Sequence, residues 1–117
     1  MTHFFTPEEA NKKLPEVKKV VERIVELKKI IDSSLVTHER NKVKAANQIA
    51  GLISSLEQDG IQMKDLDLGL LDFPAVRYGE PVLLCWKLGE EEVLYWHSVL
   101  EGFKGRKPLK PELAKIR

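Results

Sequence analysis

The residue pattern of this chain changes at Gly60, and the two halves need different secondary structures. Before Gly60, apolar residues recur at spacings of three and four, which is the period of a helix with one buried face. After Gly60, short runs rich in β-branched and aromatic residues alternate with glycine-containing turns, a pattern typical of strands. A chain of 117 residues suffices for one core. We therefore predict a single α+β domain over residues 1–117, with an N-terminal antiparallel helical hairpin followed by a small antiparallel β-meander of about three strands.

The start of the first helix is marked by a capping box. Thr6 and Glu9 have the spacing at which the two residues cap each other's backbone, and Pro7 suits the first helical position. We expect the helix to begin at Pro7. Between Leu14 and Ile31 its apolar residues form an unusually wide stripe. Because one partner helix would not cover such a stripe, we expect the long helices of two copies to pack together in a homodimer.

The second helix completes a hairpin over residues 7–59. Cap-type residues gather at 32–38, where we place the turn. Gly60 should terminate the second helix as a left-handed cap. The expected inner face of this helix consists of Val43, Ala46, Ile49 or Ala50, Ile53 and Leu56.

The β-meander is predicted over residues 61–98. Three strands are expected at 70–78, 82–88 and 93–98, and a short further piece lies at the start of the meander. From residue 102 the chain becomes basic and contains prolines. We expect residues 102–117 to form a basic C-terminal tail.

Charge and cysteine content narrow the class of protein. The formal net charge is +1, so total charge gives no argument for nucleic acid or an anionic membrane. The single Cys85 cannot form an intramolecular disulfide, which favours a reducing compartment. There is no apolar run of signal-peptide or membrane-span length. The sequence thus predicts a cytoplasmic protein without a membrane segment, and no motif calls for a metal or another cofactor.

Alternation along the last two strands defines a candidate site. Successive side chains point to opposite faces, so a register can place Trp86 and Trp96 on one face. The same register brings Cys85, Tyr95 and His97 together on the other face. Because this second face is half apolar, we expect a helix, a partner or a ligand to cover it.

Each residue of this candidate site has a structural interpretation beside the functional one. His97 suits a base or a metal ligand and Cys85 a thiolate, yet a lone Cys and a lone His on a sheet are more often structural. Trp86 and Trp96 suit stacking on a ligand, yet paired aromatics on a sheet face are more often core.

Charged groups in the β half have similar alternatives. Asp65, Asp67 and Asp72 resemble an acidic cation site, but aspartates are equally common in turns and caps. Glu90 lies in an acidic run that is most simply a solvated turn. Arg106 follows a Gly-x-x-Gly segment that would suit an anion, although a plain turn fits as well.

Four segments give the chain a resemblance to a known family. They cover residues 5–15, 60–75, 84–90 and 96–106 and contain Asp72-Phe73-Pro74-Ala75, Leu84-Cys85-Trp86, Trp96-His97 and Gly102-Phe103-x-Gly105-Arg106. In this combination the chain resembles the prokaryotic family known as domain of unknown function 2203. The resemblance implies a small prokaryotic protein and carries over no catalytic role.

The family-like segments lie mostly in the β half, which is where we expect a shared site. The candidate ligand-binding residues are Asp72, Cys85, Trp86, Glu90, Trp96, His97 and Arg106. In that site Arg106 would hold an anion, the tryptophans would stack, and His97 or a carboxylate would transfer protons.

Three functions follow from the sequence, in order of preference. The first is a non-enzymatic homodimeric interaction or regulatory module built on the long helices. The second is a small-molecule- or metal-binding protein or enzyme that uses Cys85, His97 and Arg106. The third is nucleic-acid binding through the basic tail.

Overall fold

The N-terminal half folds into the predicted pair of helices. They are seen in a computed structural model, which describes residues 3–33 and 38–109. Helix α1 spans Pro7–Asp32 and helix α2 spans Glu39–Gln58. The buried residues of α1 are Ala10, Leu14, Val17, Val21, Ile24 and Leu27.

The predicted capping box is present at the start of α1. The Thr6 N–H donates to Glu9 Oε1 at 2.9 Å, and the Glu9 N–H donates to Thr6 Oγ1 at 3.1 Å. The helix therefore begins at Pro7, as predicted. The turn predicted at 32–38 falls mainly on residues 34–37, which lie outside the described residues.

The buried face of α2 differs from the prediction at two positions. Ala45, Ile49 and Leu56 are buried. Val43, in contrast, is 56% exposed, and Ala46 is exposed as well. The apolar residues of α2 admit two stripes, and the buried stripe contains the small Ala45, which lets neighbouring helices approach closely.

Helix α1 packs tightly on the sheet at Gly69. Gly69 has a φ of +64°, and a Cβ there would lie 2.8 Å from Leu88 Cβ and 2.9 Å from Val21 Cγ1. Within the single chain, Val21 and Ile24 have no exposed surface. Much of the apolar stripe that suggested a homodimer is thus covered by the chain's own sheet and second helix.

The C-terminal half forms one five-stranded antiparallel sheet with strands in sequence order. The strands are β1 Gln62–Asp65, β2 Leu70–Arg77, β3 Glu80–Lys87, β4 Tyr95–Ser98 and β5 Lys107–Pro108. The predicted meander is confirmed, but it has five strands rather than about three. Of the two additional strands, β1 coincides with the short further piece predicted at the start of the meander, and β5, with two residues, is too short to show an alternating pattern.

The start of strand β4 and the start of the predicted tail both differ from the prediction. Strand β4 begins at Tyr95 rather than at Val93, because Asn11 of α1 engages the backbone of Val93. The Val93 N–H donates to Asn11 Oδ1 at 2.6 Å, and Asn11 Nδ2 donates to Val93 O at 3.5 Å. The predicted tail begins with a short 3-10 helix, Phe103–Gly105, and then joins the sheet, since Lys107–Pro108 pairs with β4. Its residues 110–117 lie outside the described part of the chain.

The two faces of the sheet are both buried but carry different side chains. The inner face, toward the helices, holds the apolar core residues Leu71, Phe73, Leu84, Trp86 and Trp96. The outer face holds Leu70, Asp72, Leu83, Cys85 and His97, each at most 9% exposed. The segment that follows β4 lies over the outer face, where Arg106 Nη2 donates to the Cys85 carbonyl at 3.2 Å.

Candidate metal centre

The register of the central strands brings Asp72, Cys85 and His97 together on the outer face. Asp72 of β2 lies opposite Cys85 of β3. Leu83, two residues before Cys85, lies opposite His97 of β4. The predicted register is confirmed, since Cys85, Tyr95 and His97 share this face and the two tryptophans share the other. The ligand atoms of the three buried residues (a carboxylate oxygen, Sγ and a ring nitrogen) lie within 4.8 Å of one another.

The orientation of the His97 ring is set by two hydrogen bonds. Its Nδ1 lies 2.8 Å from the Ser98 carbonyl oxygen, which only accepts, so Nδ1 carries a proton and donates it. Its Nε2 lies 3.0 Å from Asp72 Oδ1. The imidazole therefore presents Nε2 to the cluster, and a hydrogen bond to Asp72 Oδ1 needs a second proton between the two atoms, carried by the ring or by the carboxyl group. A bound metal ion would take the place of that proton.

The Cys85 thiol is held in its neutral form. Burial raises its pKa to about 11, the nearby charge of Arg106 opposes this rise, and the carboxylates of Asp72 and Glu90 add to it. At neutral pH the free protein thus carries a thiol at this position rather than a thiolate. A neutral thiol is a poor nucleophile.

Arg106 and Glu90 form a bidentate ion pair beside the cluster. Arg106 Nη1 donates to Glu90 Oε2 at 2.8 Å, and Nη2 donates to Oε1 at 2.9 Å. The guanidinium also lies 3.9 Å from the centre of the Tyr95 ring. Glu90 thus occupies the position that the sequence analysis gave to a bound anion. The pair fastens the segment after β4 to the sheet.

The two predicted tryptophans lie on the inner face, away from the cluster. Trp86 is fully buried, and its Nε1 donates to the Glu90 carbonyl at 2.9 Å. Trp96 has two cations near its ring, with Arg77 at 4.2 Å and Lys107 at 5.0 Å from the ring centre. This is the core arrangement that the sequence analysis weighed against stacking on a ligand.

The three aspartates named as a possible cation site lie in different surroundings. Asp65 Oδ1 accepts from the backbone N–H groups of Asp67 and Leu68, at 2.9 and 3.0 Å, as a turn residue does. Asp67 pairs with Lys28 at 3.0 Å. Asp72 alone belongs to the buried cluster.

A cavity of about 170 Å³ lies against the cluster. Its wall contains all three cluster residues together with Lys64, Leu70, Leu83, Val99, Glu101, Gly102 and Phe103. Four residues of this wall come from the connection after β4, which the sequence analysis had treated as turn and tail. The cluster therefore lies at the side of a small, largely apolar chamber.

Lys64 is a cavity residue that the sequence analysis missed. The pairing of β1 with β2 shifts between Met63 and Asp65, which leaves Lys64 as an extra residue, as in a β-bulge. Gln62 lies opposite Asp72, and Lys64 follows Gln62 by two residues, so alternation puts Lys64 on the outer face as well. No sequence signal marks the pairing of the short strand β1 with β2, so Lys64 could not be assigned to the cluster beforehand.

Fold and site together define a class of protein. It is an α+β protein with a helical hairpin on one face of a five-stranded antiparallel meander and a buried Asp-Cys-His cluster on the other. The chain belongs to the uncharacterized conserved protein family DUF2203, whose family model matches residues 3–109, and this confirms the resemblance seen in the sequence. Comparison with curated proteins and with solved structures gives no match. In the described ranges, no helix has the length and apolar character needed to cross a membrane.

Proposed function

We propose that this protein binds a transition-metal ion, Zn²⁺ in the first instance, through Asp72, Cys85 and His97. The observation that carries the proposal is the meeting of three different ligand types, all buried, at the wall of one cavity. Sulfur, imidazole nitrogen and carboxylate oxygen are the ligands that zinc takes in proteins. The proposal departs from the sequence-based expectation of no metal, because the sequence did not reveal that Asp72 joins the other two.

The hydrogen bond from His97 to Ser98 supports this ligand set. A histidine that binds a metal through one nitrogen commonly donates its other ring N–H to a carbonyl, which fixes the ring. Here Nδ1–H donates to the Ser98 carbonyl, and Nε2 lies beside Asp72 in the cluster that also contains the Cys85 thiol. With zinc–ligand distances of about 2.0–2.3 Å, tetrahedral ligand atoms lie roughly 3.5 Å apart. Side-chain rotations that move the ligand atoms by about 1 Å would bring them to these separations around an ion.

Charge also favours a metal over nucleophilic catalysis by Cys85. A neutral thiol with its pKa raised to about 11 needs a strong positive charge beside it before it ionises at neutral pH. A coordinated metal supplies that charge and deprotonates the thiol. The thiolate and the Asp72 carboxylate then balance the two charges of the ion, so the filled site is neutral and suits a buried position.

Cobalt(II) titration of tag-free protein tests the proposal. Cobalt replaces zinc in such sites, and a thiolate ligand produces an intense charge-transfer band. Because the chain contains one cysteine, that band reports Cys85 alone. We expect it to grow to one equivalent of cobalt in the wild type and to disappear in Cys85→Ser.

Matched variants separate the cluster from other histidines and aspartates. His97→Gln and Asp72→Asn should weaken cobalt binding, whereas His38→Gln and Asp67→Asn, which change exposed residues, should leave it unchanged. Circular dichroism of each variant verifies folding. Absence of the band from folded wild-type protein would refute the proposal, and so would equal affinity in the cluster variants and the controls.

The other predicted functions receive less support. The predicted homodimer rested on the wide apolar stripe of α1, and this stripe is mostly covered within one chain. Native mass spectrometry tests the prediction, since the mass of a monomer would contradict it. For nucleic-acid binding, Arg106 and Lys107 are already paired with Glu90 and Glu101. Neither of these two cations is a free phosphate-binding group.

A further inference from the structure

We infer that the metal centre has one exchangeable coordination position, and that this position binds the carboxylate of a short-chain carboxylic acid in the cavity. The inference rests on the proposed metal binding and adds the class of ligand. Among the described residues, the cluster brings together three potential ligands. Zinc is usually four-coordinate, and centres with three protein ligands use the fourth position for water or substrate. The fourth position is therefore open to an exogenous ligand.

The cavity determines where that ligand lies. Asp72, Cys85 and His97 all contribute to its wall, so a metal bound to them borders the cavity. The remaining wall is mainly apolar, with side chains of Leu70, Leu83, Val99 and Phe103. About 170 Å³ accommodates a small molecule and excludes a bulky one. A ligand that fills it needs one polar group for the metal and a short apolar chain for these walls.

The charges around the cavity favour an anion. With Asp72 and the Cys85 thiolate bound, a divalent ion is electrically balanced. Glu101 at the cavity wall is offset by Lys107, at 3.1 Å. Lys64 also lines the cavity, and within the described ranges no acidic group lies within ion-pair distance of it. The cavity is left with one net positive charge, which a single carboxylate complements.

The position of Lys64 is a property of the backbone. The register shift in β1 makes it the extra residue of the strand, and it lies on the cavity wall with Asp72 of the next strand. Lys64 is an exposed residue whose side chain contributes to the cavity wall, so its charge belongs to the side of the sheet that carries the cluster.

Titration of the cobalt-loaded protein with butyrate tests the inference. The experiment uses chloride-free buffer and follows the visible d–d bands of cobalt, which change when a ligand enters the coordination sphere. We expect saturable changes with butyrate and none with butylammonium, a cation of similar shape. Lys64→Met should weaken butyrate binding roughly fivefold, the effect of a partly exposed ion pair. Lys64→Arg should retain it, and Lys18→Met, on the exposed surface of α1, should behave as the wild type.

The possible failures are distinguishable. A wild-type protein that gives no cobalt spectrum overturns the metal centre, and this inference with it. A cobalt spectrum that butyrate leaves unchanged overturns the exchangeable position alone. Equal butyrate affinity in Lys64→Met and the wild type contradicts the role of charge, and equal affinity for chloride and butyrate contradicts the role of the apolar walls.

Discussion

The two faces of the sheet are buried to a similar degree but for different physical reasons. The inner face consists of apolar side chains such as Phe73 and Trp86, and removing them from water drives folding. The outer face buries Asp72 and His97, whose removal from water costs free energy unless they are paired. Their mutual hydrogen bond of 3.0 Å offsets part of that cost. Binding of the proposed metal ion would pair both groups more fully.

The largest expected effect comes from the inner face. Phe73 has no exposed surface and meets Phe5 edge to face, with 5.2 Å between ring centres. Phe73→Ala should lower the free energy of unfolding by about 3–5 kcal/mol, because it removes buried surface and leaves a cavity. Urea denaturation measures the change. Val76→Ala on the same strand, where Val76 is 52% exposed, should stay within about 0.5 kcal/mol. Equal losses would contradict the assignment of the core to the inner face.

The Asp72–Cys85–His97 cluster should add to the stability of the fold when it is loaded with metal. Zinc at one hundred times its dissociation constant should raise the free energy of unfolding by about 2.7 kcal/mol, because the ion binds the native state. Thermal or urea unfolding with and without zinc shows the difference. For Cys85→Ser, the free energy of unfolding should be the same with and without zinc. A gain of the same size in Cys85→Ser would place the stabilising zinc elsewhere.

The contact between α1 and the sheet can be tested at two glycines. Gly69 and Gly79 both have positive φ, at +64° and +79°, but an added Cβ meets close neighbours only at Gly69. Gly69→Ala should therefore cost about 1–2 kcal/mol more than Gly79→Ala, since overpacking adds to the common backbone strain. Urea denaturation of the two variants gives the comparison. Equal costs would show that α1 yields easily at this contact.

The smallest expected effect concerns the ion pair between Arg106 and Glu90, which holds the segment after β4 against the outer face of the sheet. Burial alone would raise the pKa of Glu90, but the hydrogen bonds from Arg106 and the Lys87 N–H, with the charge of Arg106, lower it. A carboxyl with a lowered folded-state pKa stabilises the fold above its ordinary pKa of 4.5, and the contribution disappears as pH falls through the folded value. Glu90→Gln should remove about 1 kcal/mol of acid-dependent stability.

Unfolding measured from neutral pH to below 4.5 tests the Glu90 prediction. The variant should show a flatter pH dependence than the wild type. Glu91→Gln, at the exposed neighbouring position, serves as the control. A wild-type slope that persists in Glu90→Gln would assign the acid sensitivity to other carboxyls.

The fold could be predicted where local pattern and tertiary structure agree. Two such local signals are the capping box at Thr6 and the left-handed cap at Gly60. The structure confirms both, and Gly60 has a φ of +85°. The shortened start of β4 depends on Asn11, which lies 82 residues away in sequence from Val93. No local pattern contains such a contact. The two-residue strand β5 is likewise too short to be recognised before its partner is known.

The candidate site could be predicted in part, for the same reason. Alternation and one register were enough to bring Cys85 and His97 together. Asp72 was named as a candidate, but its place opposite Cys85 depends on the pairing of β2 with β3. The guanidinium of Arg106 was expected to hold a ligand and instead binds Glu90, a partner that sequence separation conceals. Lys64 could be assigned to the cavity only once β1 was seen to pair with β2, with Gln62 opposite Asp72.

Crystallography of the zinc-soaked protein, with anomalous data at the zinc edge, tests the metal centre most directly. The account predicts one anomalous peak on the outer face, about 2.3 Å from Cys85 Sγ and about 2.0–2.1 Å from His97 Nε2. A carboxylate oxygen of Asp72 should lie at a similar distance, and the His97–Ser98 hydrogen bond should remain. A zinc peak elsewhere, or none at Asp72, Cys85 and His97 in fully soaked crystals, would contradict the account.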